Sequence, residues 1–250
     1  MFLIAIFSHF IADFIFQNNK VVMLKRERMF KGNLIHSGIV FITYCVIFTL
    51  SIITSSRSLS VFESNLIIYI SLLAISHFVI DLIKSYVLIK NKGNAKVDIV
   101  IFILDQLIHV AVIYIITSFF ISNIGLRVIY LNSKLILLYP FIISWILATF
   151  VSSYIITKTL SCYDIKPAGD IRVGRLIGNI ERTIILILLI LNLSSIVAGV
   201  IVFKTLIRLE NFKNSDHSDY YILGNLLSFL LVICSYGILI FSNLSRFYFN

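Results

Sequence analysis

Histidine and aspartate recur four residues apart at three places in an otherwise strongly apolar chain. The pairs are His9 with Asp13, His77 with Asp81, and Asp105 with His109. Residues four apart lie on one face of an α-helix, one turn from each other, so each pair presents an imidazole and a carboxylate in the same direction. His36 adds a fourth imidazole. These groups coordinate first-row metal ions, and we predict that all seven converge on one metal site.

The composition indicates the solvent in which these side chains lie. Of the 250 residues, 59% are apolar and 13% are charged, and the mean hydropathy is +1.01. A soluble domain of this length does not need so much apolar surface, so we predict an all-α, polytopic helical membrane protein. An unpaired charge deep in a bilayer costs at least about 2.5 kcal/mol, so three aspartates at that depth need a specific role.

Seven apolar runs are long enough to cross about 30 Å of hydrocarbon. The predicted spans are residues 2–17, 33–54, 64–88, 98–122, 134–157, 180–206 and 220–243. We expect a single transmembrane domain over 1–250. It has a four-helix half at 1–122 that carries the His and Asp residues, and C-terminal helices at 134–243 with a basic cytoplasmic segment at 158–182. For segment 171–206, a re-entrant or interfacial path is the alternative to a full crossing.

The distribution of Lys and Arg predicts the orientation, because cytoplasmic connections carry an excess of both. The connections after the first, third and fifth spans hold Lys20, Lys25, Arg26, Arg28, Lys31, Lys84, Lys90, Lys92, Lys96, Lys158, Lys166, Arg172, Arg175 and Arg182. Those after the second and fourth spans hold Arg57, Arg127 and Lys134. This places the N-terminus outside and the C-terminus in the cytoplasm.

This orientation puts the seven polar side chains in one slab of the membrane. In each pair the aspartate lies nearer the cytoplasm and the histidine about 6 Å deeper, since an α-helix rises 1.5 Å per residue. Neutral imidazoles with carboxylates favour zinc, with manganese or iron as alternatives. Seven groups exceed what one tetrahedral ion uses, so either two ions bind or some of the seven orient the ligands. A proton path and a structural polar network are the competing explanations.

The basic residues suggest a second feature. Arg172, Arg175 and Arg182 lie in a glycine-containing segment, where guanidinium groups suit the charge of a phosphate. An amphipathic interfacial helix explains the same residues without a ligand. The net charge of +9 is that of a protein whose cytoplasmic loops face anionic lipid. No P-loop, dinucleotide fingerprint or basic-aromatic array is present, so we expect membrane lipids as partners and no nucleic acid.

Several segments carry a resemblance to a known family. They are SHFIADFIFQ, KGNLIH, SHFVIDLIK, LDQLIH, GRLIGNIERTIIL and DYYILGNLLSFLL. The chain resembles a family of bacterial membrane proteins known as domain of unknown function 3307, which implies a location in the bacterial cytoplasmic membrane. In pattern alone it is also similar to membrane-bound metal-dependent hydrolases that array His and Asp on short helices.

The function that we expect is metal-dependent hydrolysis of a lipid or lipid-linked phosphoester. Asp13, Asp81 or Asp105 would serve as general base, and the three arginines would bind the substrate's charge. A proton or divalent-metal transporter or channel using the same cluster is the alternative. The outer halves of the first four spans are nearly apolar, which favours a site open to one side of the membrane over a transport path open to both. A structural or regulatory membrane protein is the third interpretation.

Overall fold

The computed structural model describes residues 1–54, 64–91, 93–123, 133–163, 165, 170–207 and 215–248. Every regular element in this part of the chain is a helix, as predicted. The α-helices are α1 (Phe2–Ile11), α2 (Asn19–Glu27), α3 (Met29–Thr54), α4 (Ser64–Lys90), α5 (Ala95–Asn123), α6 (Ser133–Ile146), α7 (Ser152–Cys162), α8 (Ile171–Ile190), α9 (Ser194–Ile207) and α10 (Ser215–Tyr248). Two π-helices join them, Ala12–Phe16 after α1 and Leu147–Val151 between α6 and α7.

Five helices are long and apolar enough to cross a membrane, and they match five of the seven predicted spans to within a few residues. They are Met29–Thr54, Asn65–Lys90, Ala95–Asn123, Lys134–Cys162 and Ser218–Ser242. Their outward faces carry large apolar side chains, such as Ile42 and Ile115, which are 62% and 63% exposed. Such surfaces suit lipid, so the described residues have the make-up of a helical membrane protein.

The other two predicted spans differ from this pattern. Phe2–Phe16 and Ser194–Lys204 are apolar helices, but both are shorter than a full crossing requires. At 1.5 Å per residue the first covers about 22 Å, less than the hydrocarbon thickness of about 30 Å. The predicted number of seven full-length crossings is therefore not confirmed.

The chain divides into two compact units, Met1–Pro140 and Phe141–Asn250. In the first unit, α3 packs against α1, α2 and α4, and α5 packs against α4 and α1. Large aromatic side chains fill the space between these helices, with Tyr44, Phe48 and Tyr69 at most 1% exposed. The single transmembrane domain predicted over 1–250, with halves at 1–122 and 134–243, stays a prediction.

In the second unit, α8 packs against the π-helix Leu147–Val151, α9 and α10. Ala148, Leu186 and Val232 form the centre of its apolar core. Asp170 is the N-cap of α8, and its side chain accepts a hydrogen bond from the backbone N–H of Arg172 at 2.8 Å. The guanidinium and the backbone N–H of Arg172 together hold the pKa of the Asp170 carboxyl below its usual value.

Segment 180–206 forms two helices instead of one span. A turn at Leu191–Leu193, in which Asn192 has a φ of 58°, separates α8 from α9. Glu181, ten residues before this turn, and Lys204, eleven residues after it, form an ion pair. The segment is therefore a helical hairpin whose second helix runs back along α8 as far as Glu181, whereas a single helix was predicted. The re-entrant path stays a prediction.

The last helix runs parallel to α8. Gly174 faces Tyr220, since a Cβ at Gly174 would lie 3.7 Å from the tyrosine hydroxyl, and Arg182 donates to Ser228 at 3.2 Å. From the first of these contacts to the second, the residue number increases by eight in both helices, so α8 and α10 run in the same direction. A seven-span topology requires them to run in opposite directions. The hairpin is what allows the parallel arrangement.

Some cations used to predict the orientation lie outside the described residues. They are Arg57, Lys92, Arg127 and Lys166. The predicted orientation, with the N-terminus outside and the C-terminus in the cytoplasm, stays a prediction.

Candidate metal centre

The first unit brings all seven predicted side chains into one buried cluster. His9 lies on α1, Asp13 on the following π-helix, His36 on α3, His77 and Asp81 on α4, and Asp105 and His109 on α5. None of the seven residues is more than 8% exposed. Three overlapping sets of these residues have ligand atoms within 4.8 Å of one another. The seven side chains that the sequence analysis predicted to converge therefore lie in one buried cluster.

Four of the seven bring two imidazole nitrogens within 3.6 Å of two carboxylate oxygens. His36 Nε2 lies 3.2 Å from Asp13 Oδ1 and 3.6 Å from Asp81 Oδ2. His77 Nε2 lies 3.4 Å and 3.6 Å from the same two oxygens. A tetrahedral zinc ion with bonds of about 2.0–2.1 Å holds its ligand atoms about 3.4 Å apart. Four of the six separations in this set are thus close to the length that tetrahedral coordination requires. We call Asp13, His36, His77 and Asp81 the four-ligand centre.

The π-helix Ala12–Phe16 positions one of these ligands. Its i→i+5 hydrogen bonds widen the turn that carries Asp13, so the carboxylate leaves the helix at an offset from the regular α-helical face. Asp13 Oδ1 contacts His36, while Oδ2 lies 3.9 Å from His9 Nε2, one turn earlier. The aspartate consequently connects three helices. π-Helical turns of this kind occur frequently at functional sites.

The imidazoles pack around His77. The ring centroid of His77 lies 4.4 Å from that of His109, 5.1 Å from that of His36 and 5.4 Å from that of His9. His109 Nδ1 contacts the backbone oxygen of Asp105 at 2.9 Å. Since a carbonyl oxygen can only accept, Nδ1 carries the proton and Nε2 is left with its lone pair.

Several ring nitrogens in this cluster make no hydrogen bond. Both nitrogens of His9, both of His77 and Nε2 of His109 are buried without a hydrogen-bond partner. Buried polar atoms are nearly always satisfied in proteins, and the exceptions call for an explanation such as a bound ion. The donor set and its burial both fit a divalent metal, so these residues could hold one.

Two lysines belong to the cluster and were missed as such by the sequence analysis. Lys25 on α2 pairs with Asp81 Oδ2, and Lys84 on α4 donates to Asp105 Oδ2 at 2.6 Å. Lys84 lies within the helix and not in the connection to which its charge was assigned. It stands three residues after Asp81, on the same helix face, and this spacing was the available signal. No sequence signal pointed to Lys25, because it lies on a separate short helix, 56 residues from Asp81.

The helices that carry the cluster are held together by polar contacts near it. Asn33 on α3 donates to the hydroxyl of Ser85 on α4 at 3.0 Å, and Ser37 donates to the backbone oxygen of Ala74 at 2.8 Å. Gly32 lets α2 approach α3, since a Cβ there would lie only 2.4 Å from the backbone nitrogen of Lys25. These contacts fix α3 against α4 and bring Lys25 to Asp81.

The three predicted substrate-binding arginines lie in the second unit and have different surroundings. Arg172 is exposed and pairs with Asp170 at 3.1 Å. Arg175 and Arg182 line one cavity, in which Arg182 is only 3% exposed. Their role in binding a substrate stays a prediction.

The fold and the cluster together define a class: a helical membrane protein with a buried His/Asp site that could hold a metal ion. The sequence profile of the family described as protein of unknown function DUF3307 matches residues 1–138. The chain belongs to this family. The match covers the first unit almost completely, and with it every residue of the cluster. No curated protein and no solved structure matches the chain.

Proposed function

We propose that this protein is a metal-dependent membrane hydrolase that holds one divalent ion, preferably zinc, at the four-ligand centre. The observation that carries the proposal is the set of four separations of 3.2–3.6 Å between two imidazole nitrogens and two carboxylate oxygens. Manganese and iron accept the same donor types and are the alternatives to zinc. The substrate that we propose is a lipid or lipid-linked phosphoester.

The charge of the cluster favours one ion over two. Three carboxylates and the ammonium groups of Lys25 and Lys84 leave a single negative charge, provided the imidazoles are neutral. One divalent ion leaves the cluster with a single positive charge, whereas two would leave three positive charges in a buried site. Lys84 also pairs with the carboxylate of Asp105, on which a second ion would depend.

The residues around the centre divide into ligands and proton carriers. When bound, the ion would act as a Lewis acid and activate water as a nucleophile. Asp13 and Asp81 are engaged as ligands, and Lys84 and Gln106 both donate to Asp105 Oδ2. The buried, unpartnered acceptors outside the four-ligand centre include both nitrogens of His9, Asp105 Oδ1 and His109 Nε2. The hydrogen bond from His109 Nδ1 to the backbone oxygen of Asp105 leaves the lone pair of this imidazole on Nε2. We therefore propose His109, rather than one of the three aspartates, as the general base.

The exposure of Lys25 and Lys84 indicates the side from which a substrate would reach this buried site. The ligand side chains are at most 5% exposed, while those of Lys25 and Lys84 are 11% and 22% exposed. The two lysines mark the side on which the cluster comes closest to the surface. Their ammonium groups can attract an anionic phosphoester to this side.

The first experiment measures the metal content of the detergent-purified protein. We expect about one zinc per chain in the wild type and loss of the metal in His77→Ala, because removing one of four ligands leaves the ion with an incomplete shell. Tyr69→Phe is the matched control: Tyr69 is buried in the same unit, and its hydroxyl contacts that of Thr117 at 2.7 Å. Absence of metal from the wild type, even after zinc is added, would overturn the proposal.

The second experiment measures phosphate release from lipid phosphoesters by zinc-loaded protein. We expect release from the wild type and from Tyr69→Phe, and none from His77→Ala. A protein that binds zinc tightly but releases no phosphate from any such lipid would be a structural metalloprotein instead.

One observation favours a second candidate, a divalent-metal transporter. Lys25 contacts the same oxygen of Asp81 that belongs to the four-ligand centre, so an ion must compete with an ammonium group for it. Exchangeable sites of this kind suit transport. Zinc uptake into vesicles containing the wild type, but not His77→Ala, would support the transporter over the hydrolase.

A further inference from the structure

Arg182 in the second unit is a buried cation held entirely by neutral groups. Its guanidinium donates to the backbone oxygens of Ala148 and Thr149, the side chains of Ser153 and Asn179, and the hydroxyl of Ser228. The two backbone acceptors belong to the π-helix Leu147–Val151. These contacts fix the plane of the guanidinium and none of them neutralises its charge.

The carboxylates near Arg182 are already paired with other cations. Glu181 pairs with Lys204, and Asp170 pairs with Arg172. Among the described residues, no carboxylate lies within ion-pair distance of Arg182. Burying an arginine without a counter-charge is costly, and such residues are almost never fully buried unless they are paired. An anion from outside the chain is the partner that this arrangement lacks.

The space next to Arg182 can admit such an anion. Arg182 and Gly174 line two cavities of about 160 and 260 Å³ between α7, α8 and α10. Arg182 Nη1 has two N–H groups but only one acceptor among the described residues, Ser228 Oγ. Gly178 keeps Nη1 open, because a Cβ there would lie 3.1 Å from it. The wall of the larger cavity therefore carries the guanidinium of Arg182, together with the ion pair of Glu181 with Lys204 and the carboxylate of Asp170.

The other lining residues indicate the depth of the site in the membrane. Tyr220 and Tyr221 line the larger cavity beside Asp170, at the end where α8 begins. Tyrosines concentrate at the level of lipid headgroups, where an apolar ring meets a polar boundary. Arg175 adds a second guanidinium to the smaller cavity. Guanidinium groups bind phosphate with paired, charge-assisted hydrogen bonds.

We propose that the larger cavity is a binding site for the phosphate group of an anionic ligand, and that Arg182 is the residue that binds it. The phosphate group belongs either to a lipid headgroup or to free phosphate. The site lies wholly within the second unit. It does not depend on the metal centre, and its test does not depend on the proposed hydrolysis.

The test uses the full-length, detergent-purified chain and three probes. Binding of inorganic phosphate is measured by titration calorimetry, and native mass spectrometry measures retention of phosphatidylglycerol against the phosphate-free dioleoylglycerol. We expect one phosphate-bearing probe per chain and no selective retention of dioleoylglycerol. Binding of phosphatidylglycerol alone identifies a lipid headgroup site, and binding of inorganic phosphate identifies a site for the free anion. If neither phosphate-bearing probe binds the wild type, the proposal is wrong.

Gly178→Ala tests the site without removing the buried arginine. The added methyl group covers Nη1, and we expect binding to weaken about tenfold, as for the loss of one charge-assisted hydrogen bond. Gly237→Ala on α10 is the matched control, since a Cβ there meets nothing within 4 Å. The zinc content should be unchanged in both variants. Gly178→Ala protein that binds as tightly as the wild type would contradict the proposal.

Discussion

At the scale of single residues, Lys25 donates to Asp81 Oδ2, an oxygen that also belongs to the four-ligand centre. The ammonium group and a divalent ion are both cations that this oxygen can bind. We therefore regard Lys25 as the competitor of the metal. If the proposed ion binds, we expect this competition to set its affinity together with the geometry of the four ligands.

Replacing Lys25 by methionine should strengthen zinc binding. The buried carboxylate of Asp81 loses its charged partner, so the metal-free protein should be less stable and its zinc affinity should rise about tenfold. Chelator competition gives the dissociation constant, and thermal unfolding with and without zinc gives the stability. Lys20→Met, on the exposed face of the same helix, should change neither quantity. Weaker zinc binding in Lys25→Met would show that Lys25 supports the ion instead of competing with it.

His109 provides a test that separates ligands from the proton acceptor. His109→Gln should keep about one zinc per chain, because His109 is not part of the four-ligand centre, while phosphate release should fall about 10²- to 10⁴-fold. His36→Gln should lose the metal as well as the activity. Metal analysis and the phosphate assay on the same samples distinguish the two. Loss of zinc from His109→Gln would move His109 into the ligand set.

At the scale of helices, the approach of α2 to α3 depends on one residue. A Cβ at Gly32 would lie 2.4–2.7 Å from backbone atoms of Leu24 and Lys25, which no side-chain rotation can relieve. The contact brings α2 close enough for Lys25 to reach Asp81. The position of a whole helix, and of the cation it carries, thus rests on the absence of one methyl group.

Gly32→Ala should separate α2 from α3 and weaken the contact between Lys25 and Asp81. We expect a loss of about 1–3 kcal/mol in stability, as for other overpacked contacts, measured as a lower midpoint of thermal unfolding. Gly38→Ala in the same helix meets nothing within 4 Å and should be neutral or slightly stabilising, since alanine favours helix. Equal unfolding midpoints for both variants would disprove the role of Gly32.

The sequence predicted the helices and the histidine–aspartate pairs well, because both depend on local periodicity. Five spans and the shared face of each pair follow from apolar runs and from the spacing of four residues. The pairing of Lys25 with Asp81 joins residues 56 apart, and no local pattern encodes it. The hairpin of α8 and α9 escaped prediction for a related reason: its turn, at Leu191–Leu193, contains a single polar residue, Asn192.

At the scale of the whole molecule, the hairpin changes the expected location of the C-terminus. Within the second unit, α10 begins at the end where α7 finishes, so α10 crosses the membrane away from that end. The predicted cytoplasmic C-terminus required segment 180–206 to cross once. Because α8 and α10 run in the same direction, we instead expect the C-terminus on the opposite side of the membrane from Tyr163.

Cysteine labelling on intact cells tests this topology. In a variant whose Cys45, Cys162 and Cys234 are replaced by serine, one cysteine is placed at Tyr163 or added after Asn250. We expect a membrane-impermeant maleimide to label only one of the two positions. Labelling in permeabilised cells is the control that both are reactive. Labelling of both positions from the same side would favour the seven-span arrangement.

Both polar sites adjoin a π-helix, one carrying Asp13 and the other supplying the backbone acceptors of Arg182. A π-turn corresponds to one residue inserted into an α-helix. The number of residues in each helix consequently determines how the polar groups at both sites are oriented. Deleting one apolar residue, such as Ile11 or Phe150, would leave a similarly hydrophobic and more regular helix, yet turn every later side chain of that helix by about 100°. These two segments should tolerate many substitutions of lipid-facing residues and no change in register.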